Sequence, residues 1–124
     1  MILGSVADRF PRVPLVLSTA SGSVRVEFIV DTGFDGELAL PPSLAANIGI
    51  RIAPGNVRSI VLANGRTHYC GACETSLIWQ DDGERLTEVL LLDGEPLLGV
   101  QLLAGQHLSC EFEEDGEVTI DSLE

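Results

Sequence analysis

Three consecutive residues, Asp31-Thr32-Gly33, carry the best-placed chemistry in the chain. They follow Phe28-Ile29-Val30, which is apolar at every position, so a carboxylate, a hydroxyl and a glycine are delivered in turn at the end of a strand buried on both faces. Holding an ionised carboxylate there costs free energy unless it is paired or hydrogen-bonded. Two readings meet that cost. In one, Asp31 caps its own backbone in an Asp-Gly-type turn. In the other it is a general acid or base, one of two carboxylates that share a proton and hydrolyse an amide without a metal or a nucleophilic side chain. No other acid shares its setting: Asp93-Gly94 precedes a loop, and Asp35 follows Asp31 only by proximity. On this second reading the other carboxylate comes from a second copy of the chain, because a two-fold axis brings the same residue from each subunit together.

The remaining reactive residues are less well placed. Cys70-Gly71-Ala72-Cys73 looks like half a zinc knuckle, but no second pair completes four ligands. On a strand the two thiols point to opposite faces with Cα atoms ~10 Å apart, too far for a disulfide. His68 and His107 are isolated from any acid or thiol in the sequence, and no GxxxxGK[ST] phosphate loop is present. Neither a metal nor a cofactor is expected. Seven basic against 19 acidic residues give a net charge of −12, which opposes nucleic-acid binding. The acids of 111–117 read as a solvated face.

These residues must be positioned by a single domain, 1–124, with the 45% hydrophobic content of a globular protein. No apolar run approaches the ~18 residues of a membrane span, and the N-terminus lacks the basic-then-apolar order of a signal peptide. The expectation is a soluble, cytoplasmic protein with no membrane partner. Residues 13–17 form a first strand, 19–22 a turn, and Val24, Val26, Phe28 and Val30 alternate with Arg25 and Glu27 in the period of a half-buried strand. Gly33 and Gly36 bracket a tight loop. Pro41-Pro42 opens a short helix over 43–48, with Gly49 as its cap. Asn64-Gly65 between 57–62 and 67–74 predicts a hairpin with a two-residue type I′ turn. Further strands follow at 85–92 and in a tail hairpin, where Leu108, Cys110, Phe112, Val118 and Ile120 face inward around Asp115-Gly116. Val100 to Ala104 is a helical turn closed by Gly105. Neither terminus shows a decisive strand-pairing pattern. The fold class is all-β with two small helices.

Asp31-Thr32-Gly33 after a buried strand, an Asn-Gly hairpin, and Leu97-Leu98-Gly99 before a short helix stand in an order that resembles the retropepsin-like aspartic proteases. The small bacterial proteins of that clan are the nearest in pattern. The resemblance runs over about 13–120. It implies a single-domain acid-protease barrel with a flap hairpin, assembled as a two-fold homodimer that cleaves peptide or protein substrates. Asp31 matches the catalytic aspartate, Thr32 the hydroxyl that ties the two active-site loops across the dimer, and Gly33 the glycine that lets backbones approach. Leu97-Leu98-Gly99 resembles the apolar pair and glycine crossing beneath the active-site loop. Phe34, Asp35, Leu98 and the flap residues Ala63, Asn64 and Gly65 are implied in substrate contact. Phe34 stands where retroviral members usually carry a small residue, and the flap tip has one glycine where they carry several.

Three readings follow. The first is an aspartic endopeptidase with an Asp31 dyad. The second is a dimeric peptide- or protein-binding module on the same fold that does not cleave, with Phe34 filling the pocket. The third is a metal or redox protein using Cys70 and Cys73.

Overall fold

The computed structural model describes residues 1–52, 55–62, 64–80 and 83–123. Strands β1 (Ile2–Ala7), β2 (Phe10–Thr19), β3 (Gly22–Val30) and β4 (Leu38–Leu40) lead into helix α1 (Pro42–Asn47). Strands β5 (Val57–Val61), β6 (Thr67–Ile78), β7 (Glu84–Leu91) and β8 (Leu97–Leu98) follow, then α2 (Val100–Leu103), β9 (Gln106–Cys110) and β10 (Glu117–Ser122). The expected all-β architecture with two short helices is the one observed.

The strands form one 10-stranded sheet in the order β5-β6-β7-β4-β8-β3-β2-β1-β10-β9. A further β6–β2 pairing, Val16↔Ile78 to Ser18↔Ser76, closes the middle of that order into a barrel. Two arms leave it. The first half of β6 extends past the barrel and pairs with β5, Val57↔Gly71 to Val61↔Thr67, as a projecting hairpin. On the other side β1, β10 and β9 continue from β2.

Period-2 alternation explains why so many strands are apolar on both faces. Val13, Leu15, Leu17, Phe28, Val30, Leu38, Leu40, Cys73, Leu77, Val89 and Leu98 face one main core. Their neighbours Ala39, Cys70, Ala72 and Leu90 face a second, smaller cluster with Phe34, against which Ile60, Leu92 and Leu97 pack. Strands β4, β6, β7 and β8 are therefore shared walls between the two.

Three features depart from the expectations. The N-terminal residues are a strand, paired in register with the C-terminal one from Ile2↔Ile120 to Ser5↔Glu117. Gly4 lets this strand lie close on β2, since a Cβ there would lie 1.9 Å from the Arg12 carbonyl oxygen. The flap register closes one residue further out than a two-residue turn requires. Leu62 donates to the Arg66 carbonyl at 2.8 Å and Gly65, at φ +82°, donates to the Leu62 carbonyl at 2.9 Å, the closure of a three-residue loop. Ala63, assigned to the tip, lies outside the described residues. In the tail, alternation does not continue past the end of β9, and Phe112 stands 74% exposed in the connecting loop.

Phe28 is fully buried in the main core, opposite Val13. Phe28→Ala should destabilise the domain by about 3–5 kcal/mol, read as a lower urea midpoint. A loss under 1 kcal/mol would show that this core is not the one holding β2 to β3.

Candidate active site

β3 ends at Val30, and the chain enters the loop with Asp31 half-buried and Thr32 and Gly33 exposed. Two bonds fix Asp31. Its N–H donates to the Leu98 carbonyl at 2.9 Å, continuing the parallel β3–β8 pairing by one residue. Its Oδ1 accepts the Gly33 N–H at 2.9 Å. The self-capping turn is thus real, and it orients the carboxylate at the loop's open side.

The loop rests on the start of α2. Gly99, Val100 and Gln101 donate their N–H groups to the carbonyls of Glu37, Phe34 and Gly36 at 2.8, 2.9 and 3.1 Å. The Phe34 ring is buried between two glycines. A Cβ at Gly36 would lie 2.6 Å from the ring, and one at Gly99 would lie 2.6 Å from the ring and 2.2 Å from the Gly36 carbonyl oxygen. Gly99 needs no special dihedral (φ −99°); it is glycine because of close approach. Phe34 is therefore packed into the wall, and it leaves a cleft of about 320 Å³ above Asp31.

That cleft is bordered on the loop side by Asp31, Gly33, Phe34 and Asp35, on the hairpin side by residues 59–62, and below by Leu92 and Leu97. Asp35 Oδ1 accepts a hydrogen bond from Gln101 Nε2 at 3.1 Å. Just outside, Glu37 bonds Arg85 at 2.8 Å and the Glu88 N–H at 3.0 Å, and Glu88 in turn pairs with Arg58 of the hairpin at 3.0 Å. Loop, β7 and flap are linked through this chain of charges.

The residues singled out from the sequence do not all meet here. Asp31, Gly33, Phe34 and Asp35 do. Leu98 does not: it is fully buried in the main core, and Leu97 takes the place beside the cleft. The reason is parity, since Leu98 pairs with Val30 and shares its inward direction. Asn64 and Gly65 are exposed at the hairpin tip, where Asn64 Oδ1 accepts the Arg66 N–H at 2.9 Å; the arm, with Ile60, Val61 and Leu62, borders the cleft. Thr32 is exposed on the single chain. Gln101 and residues 59–62 escaped sequence reasoning. The apolar run Ile60-Val61-Leu62 could have signalled the arm's apolar side; nothing local signals Gln101.

Cys70 and Cys73 fall on opposite faces of β6, one in each cluster. Burial pushes both thiols above their ordinary range, and nearby Glu88 adds to the rise. Among the described residues no group of three or more His, Cys, Asp or Glu is arranged to hold a metal ion.

Comparison with solved structures gives a crystal structure of a retropepsin-like aspartic protease from Rickettsia conorii. It matches 99% of this chain and 92% of that one, with a TM-score of 0.58 and 20% sequence identity. The fold is retropepsin-like. No protein-family model matches the chain, and no curated protein does. In this retropepsin-like frame the barrel presents the Asp31 loop as its floor and the β5–β6 hairpin as its cover. Among the described residues no helix is long and apolar enough to cross a membrane.

Two outcomes follow. Gly99→Ala should cost about 1–3 kcal/mol in urea unfolding, and Phe34→Leu in the same background should not restore it, because the clash with the Gly36 carbonyl is with backbone. Full recovery would show that the ring alone constrains Gly99. For the thiols the sign is fixed by proton binding: above the ordinary thiol value of 9.0 the unfolded chain releases protons that the folded chain keeps, so stability falls as pH rises through that range. The urea midpoint should drop between pH 8 and 10, and drop less in the Cys70→Ala/Cys73→Ala protein. An equal drop in both would assign the loss elsewhere.

Proposed function

We propose that this chain is an aspartic endopeptidase whose working form is a homodimer, with Asp31 of each subunit forming the dyad. The observation that carries the reading is the setting of Asp31. It ends a buried strand, is held by the Leu98 carbonyl and the Gly33 N–H, and opens on a cleft lined by apolar side chains. The Asp35 carboxylate is engaged by Gln101, which leaves each chain one acid in the dyad setting. Two such acids across a two-fold axis cannot both ionise comfortably and hold one proton between them. One then takes a proton from water as it attacks the peptide carbonyl, while the other protonates the carbonyl oxygen. Thr32, exposed on the single chain, is available to bond across the axis.

The substrate lies extended between the Asp31 loop and the hairpin, held by main-chain hydrogen bonds, with apolar side chains against Phe34, Ile60 and Leu97. The burial of Phe34 between Gly36 and Gly99 favours cleavage over the non-cleaving binding reading, since the ring occupies the wall. The place of action is the cytoplasm. Cys70, Cys73 and Cys110 are free thiols, the state a reducing compartment maintains.

A mixed peptide library provides the test. The wild type should cleave it, and Asp31→Asn should lower the rate by about 10²–10⁴-fold while circular dichroism stays unchanged. Specific activity should fall on dilution. Added salt at neutral pH should oppose that fall, because it screens repulsion between copies carrying −12 each. Cleavage with concentration-independent specific activity by a monomer would sink the shared dyad.

A further inference from the structure

The cleft has a charge asymmetry that peptide-bond cleavage does not require. Its described lining holds two carboxylates, Asp31 and Asp35, a serine, a glycine and otherwise apolar side chains, with no cation. The chain has seven arginines and no lysine. Three of the arginines are held in ion pairs with Glu95, Glu88 and Glu37. The contrast between Glu37 and Asp35 is direct. Glu37, outside the cleft, is neutralised by Arg85 at 2.8 Å. Asp35, inside it, receives a neutral amide from Gln101 at 3.1 Å, which orients the carboxylate and leaves its charge.

Gln101 is itself fixed. Its N–H donates to the Gly36 carbonyl at 3.1 Å, so the same residue that anchors the loop backbone aims the carboxylate beside it. An oriented, exposed, unneutralised carboxylate next to an apolar wall suits one kind of ligand group: an aliphatic stem ending in a cation. The stem packs on the wall while the head reaches the acid. The net charge of −12 adds a long-range field of the same preference.

We propose that Asp35 is a specificity residue that takes the arginine or lysine side chain of an extended, otherwise apolar peptide. This rests on the peptide-cleft reading above. It concerns recognition, so it is tested by binding without cleavage.

The probe is an apolar octapeptide carrying one arginine walked through its positions, each paired with its neutral isostere citrulline. Affinities are measured by fluorescence anisotropy on full-length Asp31→Asn protein, which leaves the peptide intact. At one or more positions arginine should bind about threefold to tenfold tighter than citrulline. The preference should shrink with added salt. Asp31→Asn/Asp35→Asn should bring the two peptides within twofold of each other, through a loss of arginine affinity. Equal affinities at every position, a preference that survives Asp35→Asn, or no binding of either peptide would overturn the proposal. A clear arginine preference in a wild type that cleaves no peptide would uphold it and overturn only the endopeptidase reading.

Discussion

Three backbone N–H groups at the start of α2 hold the loop that carries Asp31. Gly99, Val100 and Gln101 satisfy the carbonyls of Glu37, Phe34 and Gly36, and without those bonds the loop would bring several unpaired acceptors onto a buried floor. The contact is close because neither Gly36 nor Gly99 has a side chain, and the Phe34 ring fills the space both leave. The shape of the cleft floor depends on this packing. It seats the Phe34 ring in the cleft wall and sets Gln101 where it meets Asp35. Loop closure here is obtained from main-chain hydrogen bonds and one aromatic ring.

The two clusters show how a small barrel makes room for a cleft without a large cavity in its core. Strands β4, β6, β7 and β8 send alternate residues to opposite sides. The side holding Phe28, Leu38 and Leu98 is sealed. The other side is closed only partly, by Phe34, Ala39, Cys70, Ala72 and Leu90, and the hairpin arm lies over it with Ile60. The cleft is the unfilled remainder of that second cluster. Its apolar lining is therefore a consequence of strand periodicity, and its two carboxylates come from the loop.

Much of this was legible in the sequence because the local signals agreed. The run Phe28-Ile29-Val30 into Asp31, the alternation of β3, the prolines before α1 and the positive-φ glycines Gly49 and Gly105 each dictate structure within a few residues. What was not legible depends on distant partners. β1 is short, and its pairing partner β10 is at the other end of the chain. The choice between Leu97 and Leu98 for the cleft is invisible in a Leu-Leu pair until the register with Ile29 and Val30 is known. Phe112 continues an alternation whose strand has already ended at Cys110. The flap tip shifted by one residue because Asn-Gly serves a two-residue turn as well as the last positions of a longer one. The Gln101–Asp35 contact joins two loops with no shared pattern.

The pairing of the termini bears on how folding and assembly relate. β1 and β10 satisfy each other's main-chain groups within one chain. The terminal strands thus close this part of the sheet from within the chain. Among the described residues, the ends of the sheet order are β5 and β9, each with an unpaired side. Of these, β5 belongs to the hairpin over the cleft and is tied to β7 by the Arg58–Glu88 pair. On the proposed reading, assembly then adds a second Asp31 to a domain that is already folded. The fold supplies the position of the acid, and on that reading the concentration of the chain supplies its partner.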